Sequence, residues 1–218
     1  MARSVICIAR SLGAGGEEAG RAVAEKLGYR YVDDEIIDRA AERAGVSRET
    51  ITKAERPPGL LSRIVDGLAA AGTNEATLAF LAGAPAYIPA QREWSPQAEL
   101  SYEELIQQVI IEIANQHKAV IMAHGAAVCL RGKPEALRVF VTASPETRAE
   151  RLEQQGGMTR REAAKAVSVS DRARREYLWR FYAVRQESPT NYDLTLNTDA
   201  LLPADAATII MDAASRVT

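Results

Sequence analysis

Cysteine and histidine are nearly missing from this chain: its 218 residues hold two of each. With so few soft ligands and no paired Cys or His motif, no transition-metal site can be read, because zinc needs three or four such side chains at set spacings. The scarcity also excludes a disulfide framework, and Cys7 and Cys129 each sit in an apolar segment and read as reduced core thiols. Nor is there a Ser-His-Asp or Cys-His arrangement of the kind that nucleophilic catalysis uses. No apolar run is long enough to span a bilayer. The opening MARSVICIAR lacks the extended apolar core of a secretory signal and leads straight into a strand, so the cytoplasm is the expected compartment. An excess of one charge is absent too. The formal net charge of -2 argues against nucleic acid or an anionic membrane as the main partner.

What remains is an ordinary globular composition, 47% hydrophobic and 26% charged, at a length that suits one α/β domain with an insertion. Ser4 to Ile8 (SVICI) is a β-branched apolar run that stops at a glycine cluster, as a strand buried on both faces would. Gly13 to Gly16 forms the turn, Glu17 to Leu27 has apolar residues at helical spacing, and Gly28 closes that helix. Tyr29 to Val32 is a second strand, followed by a helix over Glu35 to Ala44. From about Val46 to Pro96 short apolar helices alternate with Pro and Gly punctuation, which reads as an inserted helical subdomain. Ser101 with Glu104 makes a capping box for a helix reaching about His117. Ala119 to Ala123, Leu137 to Thr142 and Tyr192 to Leu196 supply three more strands. Strands alternating with helices predict right-handed βαβ units in a doubly wound, five-stranded parallel sheet.

The unit ICIARSLGAGGEEAG sets Gly13, Ala14, Gly15 and Gly16 between a buried strand and a helix N-terminus. Exposed backbone amides and the helix dipole suit a phosphate there. A full phosphate loop reads GxxxxGK[ST]. Here Arg10 falls on the first glycine, Gly16 on the lysine and Glu17 on the hydroxyl. The missing lysine withholds charge where it grows in the transition state, and losing one such donor commonly lowers the rate about 10²–10³-fold. Arg10 is the nearest replacement. Glu17 and Glu18 suit a helix start yet repel phosphate, and Glu17 is the candidate to hold Mg²⁺ instead. A dinucleotide fold is the rival reading, because Asp33 follows at about the ribose-gripping spacing, but G-x-G-x-x-G begun at Gly13 demands glycine where Glu18 stands.

Several segments together resemble the cytidylate kinase-like family of P-loop nucleoside monophosphate kinases. I8-A-R-S-L-G-A-G-G-E is similar to its strand-R-x-x-G-S-G-G loop, in a branch that often lacks the lysine. Tyr31-Val32-Asp33 with Arg39 is similar to Y-L-D-(x5)-R, which contacts the acceptor nucleotide. V141-T-A-S-P-E-T-R-A-E-R is similar to the E-x-R-x-x-R helix, and puts Arg148 and Arg151 on one face, with Glu150, Glu153 or solvent as the expected partners of Arg151. S170-D-R-A-R-R-E-Y is similar to the D-x-x-R lid element, with Asp171 and Arg174 matching. Y192-D-L-T-L-N-T is similar to the closing strand. Where standard members carry G-R-D after the third strand, this chain has Ala123-His124-Gly125, and Arg131 is the residue that would compensate.

The resemblance implies one P-loop kinase-like domain over 1–218, an inserted helical subdomain of nucleoside-monophosphate-binding type over 46–100, and an arginine-rich lid over 156–185. It implies ATP and Mg²⁺ as cofactors and small-molecule nucleotides as partners, CMP or dCMP foremost, with no nucleic acid or membrane; a homodimer stays open. Gly13 to Glu18 would hold the donor phosphates, and Asp33, Arg39 and Arg131 the acceptor. Arg10, Asp171 and Arg174 would act at the transferred group, with Arg160, Arg161, Arg172 and Arg175 in the lid. The alternative is a nucleotide-binding regulatory module with little phosphotransfer.

Overall fold

The computed structural model describes residues 4–55 and 101–216. Five strands form one all-parallel sheet: β1 (Val5–Arg10), β2 (Arg30–Val32), β3 (Ala119–Met122), β4 (Ala136–Thr142) and β5 (Leu194–Asn197), in the order β2-β3-β1-β4-β5. The helices are α1 (Gly16–Leu27), α2 (Glu35–Ala44), α3 (Arg48–Glu55), α4 (Tyr102–Asn115), α5 (Ala126–Cys129), α6 (Pro145–Gln154), α7 (Arg160–Tyr182) and α8 (Pro203–Ser215).

Period-two alternation along the strands builds the two faces. On one, Ile6, Ile8, Val120, Met122, Val139 and Val141 pack on α1 and α8 through Val23, Ala24, Ala207 and Ile210. On the other, Val5, Cys7, Ala119 and Ile121 pack on α2 and α4 through Ile36, Ala40, Ile106, Ile110 and Ile113. Because the central strand faces helices on both sides, Val5 to Ile8 are almost wholly inaccessible, each side chain contributing roughly 1.5–3 kcal/mol by its burial. A smaller core of Leu12, Ala149, Leu152, Met158, Ala163, Ala166 and Val167 joins α6 and α7 to the loop after β1.

Strand boundaries differ from the sequence reading by a residue at several ends, and by more at the end of β1 and the start of β5. β1 runs on to Arg10, because Ala9 and Arg10 keep pairing with Phe140 and Val141 of β4. β5 starts at Leu194 rather than Tyr192, because a 3₁₀ turn at Pro189–Asn191 precedes it and Tyr192 turns its ring onto Phe140, 5.1 Å between centroids. The helix expected after Ser101 is present with its reciprocal cap, the Ser101 amide donating to Glu104 at 2.7 Å. Of the segment 46–100, Arg48–Glu55 is helical, while 56–100 lies outside the described residues. Among the described residues no helix is long and apolar enough to cross a membrane. Cys7 is buried, Cys129 half-buried, and both are free thiols; burial pushes Cys129 up to about 11 and Cys7 further.

Candidate functional site

Parallel strands deliver their C-terminal ends to one edge of the sheet, where open α/β sheets bind ligands. β1 brings Arg10 to that edge, the loop Ser11 to Gly15 follows, and α1 begins at Gly16. The loop is held from beneath. Its Ser11 amide donates to the Val141 carbonyl at 3.0 Å, and the Thr198 hydroxyl donates to the Ala14 carbonyl at 2.8 Å. Gly13 and Gly15 have φ of 78° and 75°, the left-handed region that glycine tolerates. A Cβ on Gly13 would also sit 2.7 Å from the Arg148 carbonyl oxygen, so the loop rests directly on α6. The leading amides of α1, which have no intrahelical acceptor, open above it.

Four charged or titratable side chains surround this opening. Arg10 forms an ion pair with Glu17 in the first turn of α1. His124 Nε2 lies 3.6 Å from Asp33 Oδ1. Beside them, the Arg21 guanidinium covers the Tyr31 ring at 4.4 Å. Burial raises the Glu17 carboxyl above the usual carboxylate range; Arg10 opposes the rise and Asp33 adds to it. Burial works to raise Asp33 as well, but the His124 hydrogen bond and the His124, Arg10 and Arg21 charges outweigh it and hold Asp33 low. The two carboxyls are thus shifted in opposite directions by burial and by their cationic neighbours.

The turn that carries His124 is strained. Ala123, His124 and Gly125 are left-handed in succession, with φ of 54°, 47° and 69°. For the two non-glycine residues this costs roughly 1–2 kcal/mol each, so the surroundings must enforce it. Tyr182, at the end of α7, does so: its hydroxyl donates to the His124 carbonyl at 2.8 Å, and its ring fills the space a side chain at Gly125 would need.

Between this turn and α7 lies a cavity lined by Arg10, His124, Ser170, Arg174, Tyr177 and Tyr192 among others. Arg174 donates to both Glu187 oxygens at 2.8 and 2.6 Å and to the Tyr192 hydroxyl at 3.2 Å, with one nitrogen 3.4 Å from the Arg10 carbonyl. Its guanidinium stands 5.2 Å above the centre of Phe140. Asp171 receives both Arg148 nitrogens at 2.8 Å. Arg39 pairs with Glu35 at 2.6 Å, Arg160 with Glu153 at 3.5 Å, and Arg172 with Glu176 at 2.8 Å. Arg131, Arg161 and Arg175 are exposed and do not line the cavity. The fold therefore gathers Arg10, Glu17, Asp33 and His124 at the loop and sets Arg174 one layer behind, whereas the remaining lid arginines lie along the outside of α7.

Arg151 departs from the sequence reading. It donates to the Thr198 hydroxyl at 3.0 Å and to the Thr198 carbonyl, because the β5–α8 connection folds over α6. Glu187 and Tyr182 were not singled out by sequence, and Arg148 was named there without its partner Asp171. The partners of Glu187 and Tyr182 are fixed by how α7 docks. Among the described residues no three His, Cys, Asp or Glu side chains are grouped to hold a metal ion. Glu17, in the first turn of α1 beside the loop, nonetheless suits Mg²⁺, which takes one or two carboxylates and completes its shell with water and phosphate oxygens.

Sheet order, glycine loop and charged rim define the class: an α/β fold of the P-loop kinase type. The chain belongs to the cytidylate kinase-like family, whose sequence profile matches residues 5–200. No curated protein matches it. A crystal structure of an uncharacterized protein from Eubacterium ventriosum ATCC 27560 superposes with a TM-score of 0.66 at 15% identity, covering 97% of this chain and 99% of that one. Shikimate kinase from Bacteroides thetaiotaomicron gives 0.47 at 16% identity over 96% and 94% of the two chains. TT1252 from Thermus thermophilus gives 0.48 at 16% over the whole of both. Family membership supports a kinase-like, nucleotide-binding phosphotransferase.

Proposed function

We propose that the protein transfers the γ-phosphate of ATP to CMP, dCMP or a similar small acceptor. The observation that carries this reading is the meeting of Arg10, Glu17, Asp33 and His124 at the mouth of the glycine loop, at the sheet edge where open α/β sheets bind ligands. In it, the loop amides from Gly13 to Glu18 take the donor phosphates. A second cleft on the outer side of the loop, walled by Arg151, Gln154 and Pro203, takes the rest of the donor. Mg²⁺, when bound, neutralises phosphate charge, and Glu17 is the carboxylate that would hold it. The protein's own part is positional and electrostatic. Arg10 faces the outer phosphates, Asp33 and His124 orient the acceptor with Arg39 on its phosphate, and Arg174 with Asp171 closes the site from α7. The lid over 156–185 would close over the site.

A second reading, a nucleotide-binding regulatory module, draws on one observation: both Asp171 and Arg174 are engaged in bidentate ion pairs, with Arg148 and Glu187. Incubation with ATP, Mg²⁺ and a panel of nucleoside monophosphates separates the two. Acceptor-dependent ADP formation with CMP or dCMP supports the kinase. ATP binding without acceptor-dependent turnover refutes it in favour of the module.

A further inference from the structure

Gly16 stands where the standard phosphate loop has its lysine, and its neighbours explain why nothing larger is there. Its φ is not in the left-handed region, so backbone conformation does not call for glycine. Space does. A Cβ at position 16 would lie 2.7 Å from Arg10 Cβ and 3.4 Å from Arg10 Cδ and Val141 Cβ. The first of these is a collision, and it is with the root of a side chain, not its flexible end. Arg10 cannot swing aside, because its backbone is in register with Val141 of β4 and its carbonyl receives Arg174. The arginine stem therefore occupies the volume through which a residue-16 side chain would leave α1. The guanidinium at its tip reaches the first turn of the same helix, where it pairs with Glu17, and its charge is felt at Asp33.

Resting on the phosphate-loop reading above, we infer that the loop's cation has been relocated: Arg10 makes from the end of β1 the phosphate contact that lysine otherwise makes from the start of α1, Gly16 is the room left for its stem, and Glu17 holds the guanidinium until a polyphosphate displaces that carboxylate. Arginine suits the exchange, since its planar fork meets two carboxylate oxygens or two phosphate oxygens with the same geometry. Position 16 and position 10 are then coupled. A lysine added at 16 while Arg10 remains has nowhere to go, whereas the same lysine with residue 10 reduced to glycine restores the first glycine and the lysine of the standard loop.

The test is calorimetric titration of the whole chain with tripolyphosphate in the absence of Mg²⁺, with circular dichroism to confirm folding. Arg10→Ala and Gly16→Lys are each expected to weaken binding about ten- to a hundredfold, the range that losing a charged hydrogen bond implies. Arg10→Gly/Gly16→Lys is expected to return to within about threefold of the unaltered chain, far above the product of the single losses. Glu17→Gln, which removes the competing carboxylate, is expected to tighten binding severalfold. If Gly16→Lys does not fold, Arg10→Ala and Glu17→Gln decide alone. Unchanged binding in Arg10→Ala, weaker binding in Glu17→Gln, or a double variant as weak as its parents would each overturn the relocation. If the unaltered chain binds no tripolyphosphate, the phosphate loop itself is refuted and the relocation with it.

Discussion

The bidentate pair between Arg148 and Asp171 gives a stability prediction whose size and asymmetry both follow from the geometry. Arg148 is 4% exposed and donates to Asp171 twice at 2.8 Å and to the Ala143 carbonyl at 2.9 Å, while the side chain of Asp171 is 28% exposed. Removing the carboxylate leaves an arginine out of water without its counter-charge, a loss of about 3–5 kcal/mol. Removing the arginine instead leaves a carboxylate that water still reaches, so the loss is smaller, about 2–3 kcal/mol after allowing for hydration. In a domain of this size each kcal/mol moves the melting temperature roughly 2–4 °C. Asp171→Ala is therefore expected to melt roughly 6–20 °C lower and Arg148→Met roughly 4–12 °C lower, with Arg148→Met/Asp171→Leu above both single variants. Thermal and urea unfolding followed by circular dichroism measure this. Arg172→Ala supplies the control: its partner Glu176 is exposed, and the pair is worth about 0–1 kcal/mol. An Asp171→Ala shift no larger than the control would refute the claim that this pair fastens α7 beneath the glycine loop.

Three further outcomes are expected. Gly13→Ala should lose roughly 2 kcal/mol or more in urea unfolding, through both the positive φ and the contact with the Arg148 carbonyl, whereas Gly28→Ala, left-handed but with open space around it, should lose only about 1 kcal/mol. For Glu187, burial raises the carboxyl but the hydrogen bonds and charge of Arg174, with the Tyr192 hydroxyl, outweigh it and hold it below its ordinary 4.5. Its stabilisation is thus present above that pH and is lost as pH falls through the lower folded value, so the stability advantage over Glu187→Gln should shrink as pH falls below 4.5; an advantage independent of pH would contradict the pairing. Asp33→Asn should lower acceptor-dependent kcat/KM by about tenfold or more with ATP affinity nearly unchanged, and an equal loss of both would place Asp33 on the donor instead.

Much of the fold was legible along the chain because it depends on local chemistry. β-branched runs buried on both faces, a glycine cluster between strand and helix, and the Ser101–Glu104 cap all act within a few residues. So does Arg10, whose place beside the loop follows from adjacency. By contrast, Arg151 reads as a solvated helix-face arginine because the pattern has no information on Thr198, 47 positions away, which folds over it. Glu187 and Tyr182 gave no signal at all: an isolated glutamate and a tyrosine near a helix end are ordinary until α7 docks them on Arg174 and His124.

Periodicity by itself determined the parallel sheet, and residues adjacent in the chain the glycine loop between strand and helix, while the family followed from the resemblance of several short segments. Only the tertiary structure decided which charges meet. Asp33 and His124 come from β2 and β3, which become neighbours only when the intervening chain returns to the sheet. The emptiness of position 16 has the same origin, because glycine there answers to the Arg10 stem packed across it, and close packing between elements is a property of the assembled fold rather than of any segment.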